Sequence, residues 1–263
     1  MFYEEFHQNQ SQTIVFLHGA NTGGWMWEHV VGHLNDYHCV AVDFPGHDNS
    51  KGESWVSMQS AASDVVACIE QCAHDSRAHV VGLSLGGYVA LRLLAHRPDR
   101  LGSVVISGVP GKAIPYRLAM RGLGMLMAPF IHTDSFSRMG ARSMNVPEAD
   151  VPLFRERSKR NTRQAFLSIN RDALAFKLPQ AALATPNPKL FVAGGNEHPI
   201  IKDSLQTFAA AKNAAGALVP DLGHGWSAED PELFAAVVRS WIENQTVCER
   251  LTVVPQAETP SFD

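Results

Sequence analysis

The chain has 263 residues and a formal net charge of −4 at pH 7, and hydrophobic residues make up 45% of it. This length suffices for one large domain or two small ones with a substantial core. The charge is mixed in sign and contains no Lys or Arg run, which argues against a nucleic-acid-binding surface. No stretch of about 18 consecutive apolar residues occurs, so no membrane span is expected.

The amino-terminal segment and the cysteines bear on the cellular compartment. Residues 1–6 lack the basic and apolar regions of a signal peptide. The 4 cysteines do not make a disulfide framework in a chain this long, and we expect reduced thiols. No neighbouring Cys or His completes a zinc site with Cys68 and Cys72, so no metal is expected. The sequence therefore predicts a cytoplasmic protein.

Short apolar runs alternate with helical patterns through the first half of the chain. Strands are predicted at 13–17, 39–43, 78–82 and 101–107, and helices at 25–34, 57–72 and 85–96. The strands are apolar throughout, as in a parallel sheet that is buried on both faces. Strands that alternate with helices along the chain predict an α/β fold with a doubly wound, mostly parallel sheet.

The pattern changes at Pro110. Residues 110–188 contain helical segments without a clear strand, and strands return at 189–193 and 217–220 before a last helix at 231–244. This middle region therefore reads as a helical insertion. Residues 245–263 have no periodicity and contain two prolines, which predicts a loosely ordered tail.

An apolar, methionine-rich stretch lies within the helical insertion. It either packs onto the main domain or lines a pocket for an apolar ligand, because flexible thioethers adapt to varied shapes. Its members are Leu118, Met120, Leu123, Met125, Leu126, Met127, Phe130 and Ile131.

A glycine-flanked serine lies between a predicted strand and a predicted helix. The segment 82–86 has the pattern G-x-S-x-G with Ser84 at its centre. A turn this sharp forces strained backbone angles on the serine, and side chains at Gly82 and Gly86 would clash with the strand or helix. Ser84 is therefore the candidate nucleophile, placed at the start of a helix, where developing negative charge is favoured.

A serine hydroxyl needs a neighbouring base to act as a nucleophile at neutral pH. Of the 12 histidines, His224 is the strongest candidate, because it follows the last predicted strand in the segment LGHGW. A carboxylate should orient that histidine, and in this arrangement it lies between the serine and the histidine in chain order. Glu197 fits, directly after the strand at 189–193. Asp203, which resembles a helix cap, and Asp221, which is close to His224 in sequence, are the alternatives.

Acyl transfer also requires two N–H donors for the oxyanion that forms. One is expected from the backbone of Leu85, directly after the nucleophile. The other is expected from the loop after the strand at 13–17, where Ala20 is the candidate. His18 in the same loop is expected to hold the loop in place through hydrogen bonds rather than to take part in the chemistry.

Four motifs in this order resemble the α/β-hydrolase superfamily over residues 13–244, with the helical insertion matching least. They are His18-Gly19-Ala20 with Gly24-Trp25-x-Trp27, Asp43-x-Pro45-Gly46-His47-x-x-Ser50, Gly82-x-Ser84-x-Gly86-Gly87 and Gly223-His224-Gly225-Trp226. The first is similar to the opening of small carboxylesterases, plant-type methyl esterases and hydroxynitrile lyases. Two positions depart from the usual pattern: Glu197 replaces an Asp, and Asp48 stands where a Gly is frequent.

The resemblance implies a hydrolase core of residues 1–109 and 189–244 and a helical cap of residues 110–188 between the sixth and seventh strands. It also implies no metal and no organic cofactor. The expected function is hydrolysis of a small, mostly apolar carboxylic ester through an acyl-enzyme on Ser84. The alternatives are carbon–carbon bond hydrolysis or lyase chemistry by the same residues, or a non-catalytic ligand-binding protein with this fold.

Overall fold

The structure, a computed structural model, describes residues 1–255 of the chain. A single sheet of eight strands forms the centre of this part. The strands are β1 (Tyr3–Phe6), β2 (Thr13–Leu17), β3 (His38–Val42), β4 (Ala78–Leu83), β5 (Leu101–Ser107), β6 (Lys189–Gly194), β7 (Ala214–Val219) and β8 (Thr252–Val254). Their order in the sheet is β1-β3-β2-β4-β5-β6-β7-β8. The first and last strands pair antiparallel with β3 and β7, and all other neighbours are parallel.

Helices cover both faces of the sheet. They are α1 (Glu28–Val31), α2 (Met58–Cys72), α3 (Leu85–His96), α4 (Arg117–Met127), α5 (Asp134–Ser143), α6 (Val151–Ser158), α7 (Arg163–Leu174), α8 (Gln180–Ala184), α9 (Pro199–Lys202), α10 (Ser204–Ala209), α11 (Trp226–Glu229) and α12 (Pro231–Asn244). Apolar side chains of α2, α3 and α10 pack on one face, and those of α1 and α12 pack on the other.

The apolar character of the inner strands explains this architecture. Every residue of β2, β3 and β6 is buried, as expected for strands that are covered by helices on both faces. Helix starts follow from capping residues: Ser57 accepts a hydrogen bond from the Ser60 N–H at 3.0 Å, and Asp230 accepts one from the Leu233 N–H at 2.8 Å. The predicted doubly wound, mostly parallel sheet with inserted helices is confirmed.

Two edge strands were not predicted. The first, β1, carries Glu4 and Glu5 and is partly exposed, so it lacks the continuous apolar run by which the inner strands were recognised. The last, β8, falls within the segment expected to be loosely ordered, and it pairs with β7 through its β-branched residues. The remainder of that segment, residues 256–263, lies outside the described residues.

The helices α4–α8 lie between β5 and β6, and we call them the cap. The resemblance implied an insertion between the sixth and seventh strands; the described chain has one strand fewer before it, so the expected count was wrong by one. Within residues 1–255, no helix is long and apolar enough to cross a membrane.

Asp48 links the cap to the turn that follows β3. Its side chain is fully buried, accepts a hydrogen bond from Arg157 Nε at 2.7 Å, and lies 3.3 Å from Arg160 Nη1. Its backbone has a φ of +34°, the region in which glycine is favoured. The ion pairs with the cap account for an aspartate at a position where a glycine is frequent in the family that the sequence resembles.

Candidate active site

Ser84 sits in a strained turn between β4 and α3. Its φ of +53° and ψ of −110° lie outside the regions that non-glycine residues ordinarily adopt. A side-chain carbon at Gly82 would lie 2.5 Å from the Gly86 backbone, and one at Gly86 would overlap the Leu17 carbonyl. The turn is held by the Ser84 N–H, which donates to the Ser107 carbonyl at 2.8 Å. Strand and helix thus approach closely enough to present the serine at the carboxyl edge of the sheet.

The His224 ring is hydrogen-bonded to a buried carboxylate. Its Nδ1 lies 2.8 Å from Glu197 Oε2, and the second oxygen, Oε1, accepts the Gly194 N–H at 2.9 Å. The Glu197 side chain is 1% exposed, whereas that of His224 is 27% exposed. Because a carboxylate can only accept, Nδ1 carries a proton, and in the neutral ring Nε2 presents a lone pair. In serine hydrolases a carboxylate paired in this way orients the histidine that acts as general base.

Two neighbours shape the space around the imidazole. Gly108 has a φ of +69°, and a side-chain carbon there would lie 2.5 Å from Cε1 of His224. The fully buried Trp226 donates its indole N–H to Ser107 Oγ at 2.8 Å, which anchors the loop that carries His224. The ring therefore occupies a slot that only glycine at position 108 leaves open.

The other candidate carboxylates make different contacts. Asp203 gives no side-chain capping hydrogen bond to α10, contrary to the expectation that it caps this helix. Asp221 is exposed, with a φ of +63°. The His224 ring is hydrogen-bonded to Glu197 and to neither of these aspartates.

The two residues predicted to supply the oxyanion donors are Leu85, adjacent to Ser84 in the chain, and Ala20, in the loop after β2. Leu85 is the first residue of α3, and the first N–H groups of a helix have no partner within it. Ala20 lines the same cavity as Ser84. Its loop is held by His18, whose Nε2 accepts the Phe44 N–H at 2.9 Å and whose Nδ1 donates to the Gly19 carbonyl at 2.7 Å. His18 thus fixes the loop geometry, as the sequence indicated.

A cavity of about 420 Å³ lies between the sheet and the cap and contains both Ser84 and His224. Among the described residues, no hydrogen bond joins these two side chains. Of the methionine-rich stretch, Met127 and Ile131 line the cavity, whereas Leu118 and Leu126 are exposed. The other apolar lining residues were not singled out from the sequence: Phe136, Met139, Met144, Phe154 and Phe166. Within residues 1–255, no cluster of His, Cys, Asp and Glu could hold a metal ion.

The fold, the strained serine turn and the paired His224 together define a hydrolase-like site, and sequence comparison agrees. A model of the alpha/beta hydrolase family matches residues 14–237, and the chain belongs to this family. An esterase from Mycobacterium tuberculosis is 30% identical over 158 residues, 57% of this chain and 52% of its own. A 2-succinyl-6-hydroxy-2,4-cyclohexadiene-1-carboxylate synthase from Serratia proteamaculans is 23% identical over 248 residues, 88% of this chain and 93% of its own.

Solved structures share the fold. An esterase from Exiguobacterium antarcticum has a TM-score of 0.80 at 17% identity, covering 92% of this chain and 95% of its own. Relatives of this chain by sequence therefore include an esterase and a synthase.

Burial favours the neutral form of three histidines other than His224, which is paired with Glu197. Burial lowers the pKa of His18 to about 4, of His47 to about 3 and of His79 to about 4. In the unfolded chain a histidine has a pKa of about 6.5. Below that pH the unfolded chain binds more protons than the folded one, so the free energy of unfolding falls as the pH decreases from about 6.5 toward 4.

His79 offers a test of this acid sensitivity. Its Nδ1 accepts the Ser103 N–H at 3.0 Å, and an asparagine oxygen can take over that role without titrating. We expect the melting temperature of His79→Asn to fall less between pH 7 and pH 5 than that of the wild type, by on the order of 4 °C. The exposed His96 is the control: His96→Gln should retain the full wild-type decrease in thermal denaturation scans. Equal decreases in all three proteins would contradict the prediction.

Proposed function

We propose that the chain is a serine hydrolase that cleaves a small, mostly apolar carboxylic ester through an acyl-enzyme on Ser84. One observation carries the proposal: the strained Ser84 shares a cavity with His224, whose Nδ1 is bonded to the buried Glu197. An apolar cavity wall favours an ester with little charge. The esterases among the family relatives are consistent with this reaction.

In the acylation step, His224 Nε2 removes the proton from Ser84 Oγ while Oγ attacks the ester carbonyl carbon. Glu197 stabilises the imidazolium that forms, and the N–H groups of Ala20 and Leu85 stabilise the oxyanion. The tetrahedral intermediate then collapses: the carbon–oxygen bond to the alcohol breaks, and the alcohol takes the proton from His224. Among the described residues, no hydrogen bond joins the Ser84 and His224 side chains; such contacts commonly tighten when substrate binds.

Deacylation repeats these roles with water. His224 removes a proton from a water molecule, whose oxygen attacks the acyl carbon of the acyl-enzyme. Collapse of the second intermediate releases the carboxylic acid and returns the proton to Ser84 Oγ. The sequence of steps consumes one ester and one water, yields one acid and one alcohol, and requires neither a metal nor an organic cofactor.

The direct test is labelling with a fluorophosphonate probe, combined with a panel of 4-nitrophenyl esters of increasing acyl length. Labelling of the wild type that is lost in Ser84→Ala, together with turnover of short or medium esters, would support the proposal. Labelling without turnover of any ester would favour carbon–carbon bond or lyase chemistry, for which the synthase relative is the supporting observation. Folded protein that is not labelled would favour a non-catalytic binding protein.

The slot at Gly108 gives a further prediction. An alanine there would need a φ of +69° and would place its side chain 2.5 Å from the His224 ring, so the imidazole must move. We expect Gly108→Ala to lower kcat/KM for the best ester by about 100-fold, because small displacements of a reacting group are costly. Steady-state kinetics would measure this. Gly52→Ala is the control, since nothing lies within 4 Å of the added carbon; wild-type activity in Gly108→Ala would contradict the assigned geometry.

A further inference from the structure

One side of the cap helix α4 carries large apolar side chains that no part of residues 1–255 covers. Leu118 is 86% exposed, Leu126 is 73% exposed and Met125 is 55% exposed. With Gly122 they occupy positions i, i+4, i+7 and i+8, which share one side of a helix. A side-chain carbon added at Gly122 would have no atom within 4 Å, so this side faces open space. We call these four residues the apolar strip.

Further exposed apolar residues surround the strip. Tyr116 directly precedes α4, and Phe130 follows it within three residues. Leu123 of α4 and Leu167 of α7, which packs beside α4, are exposed as well. Single exposed leucines are ordinary, whereas a set of this size on one helix and its neighbours marks a binding surface.

Three cations lie along this surface without a carboxylate partner. Arg117 and Arg121 are one helical turn apart, and each directly precedes a residue of the strip, so they border it on one side. Lys112 lies a few residues before the helix. All three are exposed, and among residues 1–255 none of them forms an ion pair.

The surroundings supply no negative charge to balance them. Residues 101–133 contain no Asp or Glu, in a chain whose net charge is −4. The next carboxylate along the chain, Asp134, is already paired with Arg155 and Lys159. The apolar strip is therefore bordered by positive charge that remains available to an anionic partner.

An anionic lipid surface satisfies both features at once. Exposed apolar side chains insert at the boundary between headgroups and acyl chains, while arginines bind the lipid phosphates. The 11 residues of α4 are too few to cross a bilayer, so the helix would lie along its surface. A second copy of the chain fits less well, because its residues 101–133 offer no carboxylate to these cations.

We propose that α4 is a docking helix for an anionic phospholipid surface, with the apolar strip inserted and Arg117 and Arg121 at the phosphates. The inference goes beyond the proposed function, since docking requires no reaction at Ser84. Met127, the last residue of α4, lines the cavity that contains Ser84. Docking would therefore bring one wall of the cavity to the lipid surface, where esters with apolar chains accumulate.

The test is co-sedimentation with vesicles of phosphatidylcholine, either alone or with phosphatidylglycerol. We expect the partition coefficient of the full chain to be about 10-fold higher when about 30% of the lipid is phosphatidylglycerol. Raising NaCl from about 0.05 M to about 0.5 M should release much of the bound protein, because salt screens exposed charges.

Three variants place the binding on α4. The double variant Arg117→Gln/Arg121→Gln should lower partitioning into the anionic vesicles by about 10-fold. The double variant Leu118→Gln/Leu126→Gln should lower it by a similar factor, because less apolar surface inserts. Gly122→Leu enlarges the strip in open space and should raise partitioning by about 5-fold, a gain that a damaged fold would not produce.

The charge control is Arg77→Gln/Lys212→Gln. Both residues are exposed and precede a parallel strand, β4 and β7 respectively, so they lie at the edge of the sheet opposite the cap. This variant removes the same charge as the α4 pair and should bind the anionic vesicles as the wild type does. An equal loss in both double variants would show attraction by overall charge and would reject the docking helix.

Other outcomes separate docking from the proposed function. Failure of the wild type to bind anionic vesicles would overturn the inference. A dimer detected by light scattering without lipid, and lost in Leu118→Gln/Leu126→Gln, would assign the strip to a second copy and would also overturn it. Ser84→Ala should bind vesicles as the wild type does. Vesicle binding by a protein that hydrolyses no ester would support docking while the proposed function fails.

Discussion

Replacing Ser84 with alanine is expected to lower kcat for ester hydrolysis by about 10⁴-fold or more, because no oxygen remains to form the acyl-enzyme. Alanine keeps the backbone of the strained turn, in which the Ser84 N–H donates to the Ser107 carbonyl. The melting temperature should therefore change little. Steady-state kinetics with the best 4-nitrophenyl ester, beside thermal denaturation of the same preparation, would measure both quantities.

His224→Ala is expected to cost a similar factor, and the double variant should be scarcely slower than either single variant. Groups that act as one unit are strongly non-additive, since the nucleophile has no function without its base. Ser143→Ala is the matched control, because this serine lines the same cavity but donates to the Gly140 carbonyl. Substantial activity in Ser84→Ala would exclude the acyl-enzyme mechanism.

Glu197→Gln is expected to lower kcat by about 10²- to 10⁴-fold while leaving the fold intact. A glutamine oxygen can still accept the Gly194 N–H, so the local turn should persist. The amide carries no charge to stabilise the imidazolium. Its NH₂ group would also face Nδ1 and favour the tautomer that has its proton on Nε2, the wrong nitrogen for a base.

Kinetic analysis of Glu197→Gln, Glu197→Asp and Asp203→Asn would test this role. Glu197→Asp retains the charge but shortens the side chain, so it should recover part of the activity that Glu197→Gln loses. Asp203→Asn should behave as the wild type, since the His224 ring is hydrogen-bonded to Glu197 and not to Asp203. A larger loss in Asp203→Asn than in Glu197→Gln would move the orienting role to Asp203.

The inner sheet was predictable because its strands are apolar throughout and alternate with amphipathic helices. The predicted limits of α3, β5 and α12 agree with the structure. The edge strands were not predictable by the same rule, since β1 is half exposed and polar. The helix expected at 25–34 is in fact a short 3₁₀ turn, Gly24–Trp27, followed by the four residues of α1.

The residues of the candidate site could be predicted better than the cavity around it. Ser84, Glu197 and His224 each follow a strand, and the carboxyl ends of parallel strands meet at one edge of the sheet. The cavity wall depends on how the cap helices pack, which the periodicity of one sequence does not determine. Phe154 and Phe166 became visible as lining residues only in three dimensions.

The ion pairs between Asp48 and the cap constrain how ligands reach the cavity. The Asp48 carboxylate has no solvent contact and relies on Arg157 and Arg160, while the neighbouring Gly46 carbonyl accepts the Thr162 N–H at 2.8 Å. Swinging the whole cap outward would break both ion pairs and this hydrogen bond at once. The contact between the turn after β3 and the cap is therefore expected to stay closed throughout turnover. Ligands must then enter and leave the cavity through smaller displacements of other parts of the cap.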